Sequence, residues 1–157
     1  MLFRSKDEAT AFNAAKKASL KGKGQLNCRI AALLFEHLER QGIASHYLGV
    51  IDQDWMVCRR VQVIPLEVVV RNRAAGSLCR QMPIVEGVEL TPPLLDLYYK
   101  DDALGDPFLS EARLMRLAII SPDQLEAIRN LAMAVNAGLR QFFAAVQLEL
   151  VDFKIEV

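Results

Sequence analysis

The sequence predicts an α+β fold of mostly antiparallel strands with helices packed on them. Three stretches carry that reading. Leu66-Glu67-Val68-Val69-Val70-Arg71-Asn72 follows Pro65 and reads as a buried β-branched strand. Leu125, Ile128, Leu131, Val135, Leu139, Phe142 and Phe143 recur at helical spacing behind Ser121-Pro122-Asp123-Gln124, which offers a cap Ser, a first-turn Pro and a capping-box Gln. From Val151 to Val157 the odd positions are apolar and the even ones are Asp, Lys and Glu, the pattern of a half-buried strand.

Composition sets the outer limits. The 157 residues suit one domain, or one and part of another. With 52% hydrophobic residues there is ample material for a core. Lys+Arg 19 against Asp+Glu 19 leaves a formal net charge of zero, which argues against nucleic-acid binding driven by general charge. Small anionic ligands need only local charge and are not excluded. Cys28, Cys58 and Cys79 show no CxxC spacing and read as reduced thiols. His37 and His46 form no ligand motif. No basic-then-apolar leader and no membrane-length apolar run is visible, so a cytoplasmic soluble protein with no membrane partner is expected.

Along the chain, Met1 to Lys23 is the least regular stretch, and Lys16, Lys17, Lys21 and Lys23 read as a solvated face. Gly22-Lys23-Gly24 lacks P-loop spacing and reads as a flexible turn. Gln25 to Gln41 is a helix with Leu26, Ile30, Leu33, Leu34 and Leu38 as its core stripe and Gly42 as its stop. Asn27 lies in its first turn, either exposed or facing a site. His46–Ile51 and Trp55–Val63 form a hairpin across Asp52-Gln53-Asp54. The connector Val61 to Pro65 cannot continue a regular ladder, because Pro65 has no N–H; its free backbone groups could meet a flat heterocycle. Ala74 to Gln81 reads as a short helix, and Leu94 to Lys100 as a strand after Pro92-Pro93. Asp101 to Pro107 is an acidic turn, with Mg²⁺ binding a minor alternative to a plain turn. Ser110 caps a helix running through Leu117.

Charge placement sharpens the picture. Along the Leu66 strand, Glu67, Val69 and Arg71 share one face. Glu67 and Arg71 then stand about 13 Å apart, too far to pair with each other. Isolated buried charges are costly, so each needs another partner. The plain reading is an ion pair on a neighbouring element. The sharper one is a site wall, with Ala75-Gly76-Ser77 offering N–H groups and a hydroxyl to an anion. The outer face of the last strand is either solvated or a lip of two carboxylates and one ammonium.

Two motifs converge on one family. Ile64 to Ser77 resembles the first signature of the SAICAR synthetases (phosphoribosylaminoimidazole-succinocarboxamide synthases): aliphatic-Pro-aliphatic-Glu, an Arg four residues on, and a closing Ala/Thr-Gly-Ser. Leu150 to Glu156 resembles the second, aliphatic-aliphatic-Asp-x-Lys-aliphatic-Glu. Asp7 to Asn13, Gly22-Lys23-Gly24-x-x-Asn27, Pro92-Pro93 through Lys100 and Asp102 to Pro107 support them in the family's order.

The resemblance implies a two-lobed fold, with a partial N-terminal ATP-binding lobe over 1–63 and a partial C-terminal substrate and nucleotide lobe over 64–157. It implies an ATP- and Mg²⁺-dependent ligase joining L-aspartate to carboxyaminoimidazole ribonucleotide. Arg71 and Ser77 would hold the nucleotide's 5′-phosphate, with Glu67 lining that pocket. Val63 and Ile64 would meet adenine. Lys100 and Glu156 would lie by the ATP ribose and phosphates, Glu156 also near Mg²⁺. Lys100, Asp152 and Lys154 would line the reacting centre. Against the family pattern the chain starts past a lysine-bearing, glycine-containing hairpin and stops before a later acid- and Arg-bearing segment. Weak or absent ligase activity is therefore expected of the chain alone, with a non-catalytic nucleotide-binding or assembly module as the alternative. Unpaired strand edges point to a homo-oligomer.

Overall fold

The computed structural model describes residues 1–11 and 16–157. The chain divides into two compact units, Met1–Val61 and Gln62–Val157.

The first unit begins with β1 (Leu2–Arg4), β2 (Glu8–Ala11) and β3 (Lys16–Ser19), followed by α1 (Lys23–Arg40), β4 (Tyr47–Asp52) and β5 (Trp55–Cys58). An antiparallel sheet runs in the order β1-β5-β4, and β2 pairs with β3. The stretch expected to be least regular thus holds three short strands. Their described side chains are mostly exposed and show no burial alternation, so the sequence carries no period to read. Phe12 and Asn13, from the Asp7–Asn13 motif, lie outside the described residues.

The Asp7 carboxylate caps α1 from a distance. Its Oδ2 accepts the Gly22 N–H at 3.2 Å and its Oδ1 accepts the Gly24 N–H at 2.8 Å, satisfying donors a helix start leaves open. These bonds hold the Asp7 carboxyl below the usual range. Gly22 sits at φ +85°, a conformation that favours glycine, and Lys23 and Gly24 already belong to α1. Gly24 is tighter still: a Cβ there would lie 2.4 Å from the Ser5 carbonyl oxygen.

The core face of α1 differs from the expected stripe. Cys28, Ala32 and Phe35 pack with Tyr47, Met56 and Cys58, whereas of the expected stripe Leu26, Ile30 and Leu33 are exposed and Leu38 is buried. Both sets obey a helical period, so periodicity alone cannot choose between them. The choice falls to the small residues Gly24, Cys28 and Ala32, which allow close approach to neighbouring chain. Asn27 is exposed. Cys28 and Cys58 are free and buried, and burial pushes both thiols up. β5 ends at Cys58, not Val63, and residues 59–65 form no strand.

The second unit holds β6 (Leu66–Arg73), α2 (Ser77–Gln81), β7 (Glu89–Tyr99), α3 (Glu111–Leu117), α4 (Pro122–Ala144) and β8 (Asp152–Glu156). Its antiparallel sheet runs β7-β6-β8. β7 starts at Glu89 and includes Pro92 and Pro93; as an edge strand it tolerates residues without an N–H. Leu66, Val68 and Val70 are fully buried and pack with Leu97, Leu114, Leu125, Ile128 and Ala132. Ser121 Oγ accepts the Gln124 N–H at 3.2 Å while Gln124 Oε1 accepts the Ser121 N–H at 2.8 Å, closing the capping box. Leu131 turns outward and Ala132 and Asn136 take the inner face of α4. Ahead of β6 the connector is less free than its sequence suggests. The Ile64 N–H donates to the Val157 carbonyl at 2.6 Å, and the Ile64 carbonyl accepts the Leu66 N–H at 2.6 Å.

Candidate functional site

The site is the face of the β7-β6-β8 sheet turned away from the Leu66-Val68-Val70 core. Residues directly opposed in antiparallel strands point to the same side. Glu67 stands opposite Tyr98 and Glu156, Val69 opposite Asp96 and Lys154, and Arg71 opposite Leu94 and Asp152. One sheet face therefore gathers acids and bases from three strands.

Two ion-pair groups form on it. At one end Lys154 Nζ donates to Glu67 Oε1 at 2.6 Å, and Lys100 Nζ lies 3.5 Å from the same oxygen. Lys100 also donates to Asp102 Oδ1 at 2.5 Å and lies 3.5 Å from Asp106 Oδ1. The Asp102 bond raises the Lys100 ammonium well above its ordinary pKa, and Lys100 in turn lowers Asp102. At the other end Arg71 Nη1 donates to Asp152 Oδ2 at 2.8 Å and to the Ala75 carbonyl at 3.4 Å. Arg71 Nη2 donates to Ser77 Oγ at 3.0 Å. Glu67 and Arg71, each 6% exposed, thus have separate partners on one face.

The acidic turn is built largely by its own backbone. Asp101 Oδ1 accepts the Ala103 N–H at 2.9 Å and the Leu104 N–H at 3.2 Å, and Asp106 Oδ1 accepts the Asp101 N–H at 2.9 Å. Among the described residues, no group of three or more His, Cys, Asp or Glu side chains is placed to hold a metal ion. Glu156 is exposed on β8, opposite Glu67. One or two carboxylates with phosphate oxygens and water form a normal Mg²⁺ donor set, so this end of the face suits such an ion when a nucleotide brings the phosphates.

The structure brings Glu67, Arg71, Ser77, Lys100, Asp152, Lys154 and Glu156 to this sheet and the segments leaving β6 and β7. Val63 and Ile64 lie on the connector before β6, and the Ile64 side chain packs against the core. Sequence reading missed Asp96, although it interrupts Leu95-Asp96-Leu97 as Glu67 interrupts its own run. It also missed Asn136. The Asn72 and Asn136 amides donate to each other's carbonyl oxygens at 2.9 Å, both buried, and Asn72 Nδ2 donates to the Leu150 carbonyl at 3.1 Å. This pair ties α4 and β6 to the approach of β8, which places Asp152 beside Arg71.

Comparisons with known proteins bear on the family and the fold. The family model described as SAICAR synthetase matches residues 1–157. A phosphoribosylaminoimidazole-succinocarboxamide synthase of Synechococcus sp. (strain CC9605) is 58% identical over 157 residues, covering 100% of this chain and 63% of that protein. The SAICAR synthetase crystal structure from Pyrococcus horikoshii OT3 superposes with TM-score 0.94 at 42% identity, covering 99% of this chain and 68% of that one. A SAICAR synthetase solved in complex with ADP gives TM-score 0.94 at 42% identity, covering 99% and 66%. The chain spans less than two thirds of the length of the curated relatives it matches. By its full-length match, the chain belongs to the SAICAR synthetase family.

Proposed function

We propose that the chain carries the nucleotide and phosphate machinery of an ATP-dependent ligase that joins L-aspartate to carboxyaminoimidazole ribonucleotide in purine biosynthesis. The observation that carries this reading is the charged sheet face: a buried Arg beside Ser77 at one end, two ammonium groups and an exposed carboxylate at the other.

The chemistry explains that layout. A carboxylate is a poor acyl donor. In the first step its oxygen attacks the γ-phosphorus of ATP, forming an acyl phosphate and releasing ADP. In the second, the aspartate amine attacks the acyl carbon, the amide bond forms, and inorganic phosphate leaves. Catalysis of this kind is mostly positioning and charge neutralisation, and no Ser, Cys or His nucleophile is required. Arg71 and Ser77 hold the 5′-phosphate of the imidazole nucleotide, with Glu67 fixing the neighbouring cations. Lys100 and Lys154 face the transferring phosphate. Glu156 would hold Mg²⁺, which would supply neutralisation of phosphate charge. Asp152 lines the reacting centre. Val63, 49% exposed, offers its backbone to adenine, since the polar backbone groups of Ile64 are both engaged.

The ADP complex of the relative at 42% identity supports nucleotide use. The proposed partners are small molecules rather than nucleic acid, in an ATP-rich cytoplasm. Among the described residues no helix is long and apolar enough to cross a membrane. Self-association is proposed through the outer edge of β8, since Leu97 and Tyr99 at the end of β7 already bond to Leu109 and Pro107, and sedimentation as a clean monomer would contradict it. The test of function is ADP release by protein carrying this chain, with binding followed by calorimetry. ADP release requiring ATP, aspartate and the imidazole nucleotide together supports the ligase. Nucleotide binding without turnover reassigns the chain to a binding module. Binding of neither nucleotide refutes both.

A further inference from the structure

Arg71 faces two carboxylates that are not equivalent. Asp152 accepts from Nη1 at 2.8 Å, and its side chain is 39% exposed. Asp96 lies 3.7 Å from Nε, and its side chain is 14% exposed. Among the described residues Arg71 Nε is the one buried side-chain N or O without a hydrogen-bond partner. A buried guanidinium N–H left unpaired is costly, and Asp96 is the carboxylate closest to pairing with it.

An anion approaching Arg71 meets this arrangement with a difficulty. With both carboxylates ionised, they outnumber the one guanidinium. Phosphate gains a place only where a carboxylate gives one up. Asp152 can turn to water, because its side chain is already partly solvated. Asp96 is held on β7, within the sheet face, and has little solvent to turn to.

We propose that Asp96 is the fixed positioning residue of Arg71 and Asp152 its exchangeable partner: phosphate replaces Asp152 on the Nη edge while Asp96 takes Nε. The proposal deepens the phosphate reading of Arg71 and rests on it. Fork geometry supports the division. Guanidinium presents its donors in a plane, and fixing Nε by one carboxylate aims the two Nη groups at a second bidentate acceptor. Burial raises the Asp96 carboxyl against the lowering effect of Arg71, so Asp96 is a carboxylate for which pairing with Nε has real consequence. The other charged groups on this face are Glu67 on β6 and Lys154 and Glu156 on β8.

The test compares Asp96→Asn and Asp152→Asn with the parent 157-residue chain, using ribose 5-phosphate as the calorimetric probe and the Arg71 Nε–H NMR signal as a readout independent of binding. Asp152→Asn is expected to tighten binding several-fold, because it removes the competitor. Asp96→Asn is expected to weaken it about tenfold, the scale of one charged hydrogen bond. Tightening by both variants means that both carboxylates merely oppose the anion, and it overturns the proposal. The Nε–H signal of the parent should shift with pH as Asp96 titrates. That shift should vanish in Asp96→Asn and persist in Asp152→Asn; persistence in Asp96→Asn overturns the proposal. If the parent fails to bind ribose 5-phosphate, the phosphate reading falls and the Nε–H titration alone decides the role of Asp96.

Discussion

Replacing Arg71 with Ala removes the cation shared by Asp152 and Asp96, and the loss should depend on pH. Removing one partner of a buried ion pair costs about 3–5 kcal/mol. Asp152, 39% exposed, regains water and contributes little to that figure. Asp96, 14% exposed, is left as an uncompensated carboxylate, so a deficit near the lower bound, about 3 kcal/mol at neutral pH, is expected. The pH dependence follows from Asp96. Its folded-state pKa already lies above 3.8 because of burial, with Arg71 opposing the rise. Without Arg71 it climbs further, while the unfolded value stays ordinary. A folded state with the higher carboxyl pKa holds the proton more tightly, so its stability is greatest in acid and is lost as pH rises through the folded-state pKa. The deficit of Arg71→Ala should therefore be largest at neutral pH and shrink on acidification. Urea unfolding followed by circular dichroism measures it. Trp55 fluorescence is unsuitable, because Trp55 belongs to the Met1–Val61 unit. A deficit below about 1 kcal/mol, or one unchanged by pH, would refute the reasoning. Adding Asp96→Asn to Arg71→Ala should restore part of the loss.

Other outcomes follow from the same contacts. Gly24→Ala places a Cβ 2.4 Å from backbone oxygen and should destabilise the first unit by about 1–3 kcal/mol, seen in Trp55 fluorescence; an unchanged midpoint would contradict the close approach. Asp7→Asn weakens the cap on α1. Because the Asp7 carboxyl is held low in the folded state, its contribution is present above the unfolded pKa, near 4, and is lost as pH falls through the folded value. A melting series from pH 5 downward should therefore be flatter for Asp7→Asn than for the parent. Asn136→Leu leaves the buried Asn72 Oδ1 without its donor, while Nδ2 keeps the Leu150 carbonyl, and should cost about 1–3 kcal/mol in urea unfolding. Replacing both Asn72 and Asn136 with Leu should cost less than the sum of the single changes.

The legible parts of the chain were those in which one physical rule had a single solution. Alternation through Leu66 to Arg73 fixed which side chains enter the core, because a strand has only two faces. The Ser121–Gln124 box likewise located the start of α4 to the residue. Helix phase was harder, since Leu26-Ile30-Leu33 and Cys28-Ala32-Phe35 share a period and only close packing separates them. The strands β1 to β3 were illegible because short exposed strands are defined by their partners rather than by a pattern of their own. That Glu67, Arg71, Asp152 and Lys154 carry charge on strand faces was visible residue by residue. Its pairings were not, because the register that brings Asp96 and Asp152 to Arg71 depends on three strands meeting. Asn136 gave no local signal at all: a polar residue on a helix declares its role only when its buried partner is known.

The central claim is that Arg71 receives a nucleotide phosphate on this sheet face. Calorimetric titration of carboxyaminoimidazole ribonucleotide into the parent and into Arg71→Lys tests it most directly, since Lys keeps the charge but loses the bidentate fork. At least about tenfold weaker binding is expected, with ADP affinity unchanged and folding verified by circular dichroism. Equal affinity for the imidazole nucleotide in the two proteins would contradict the account.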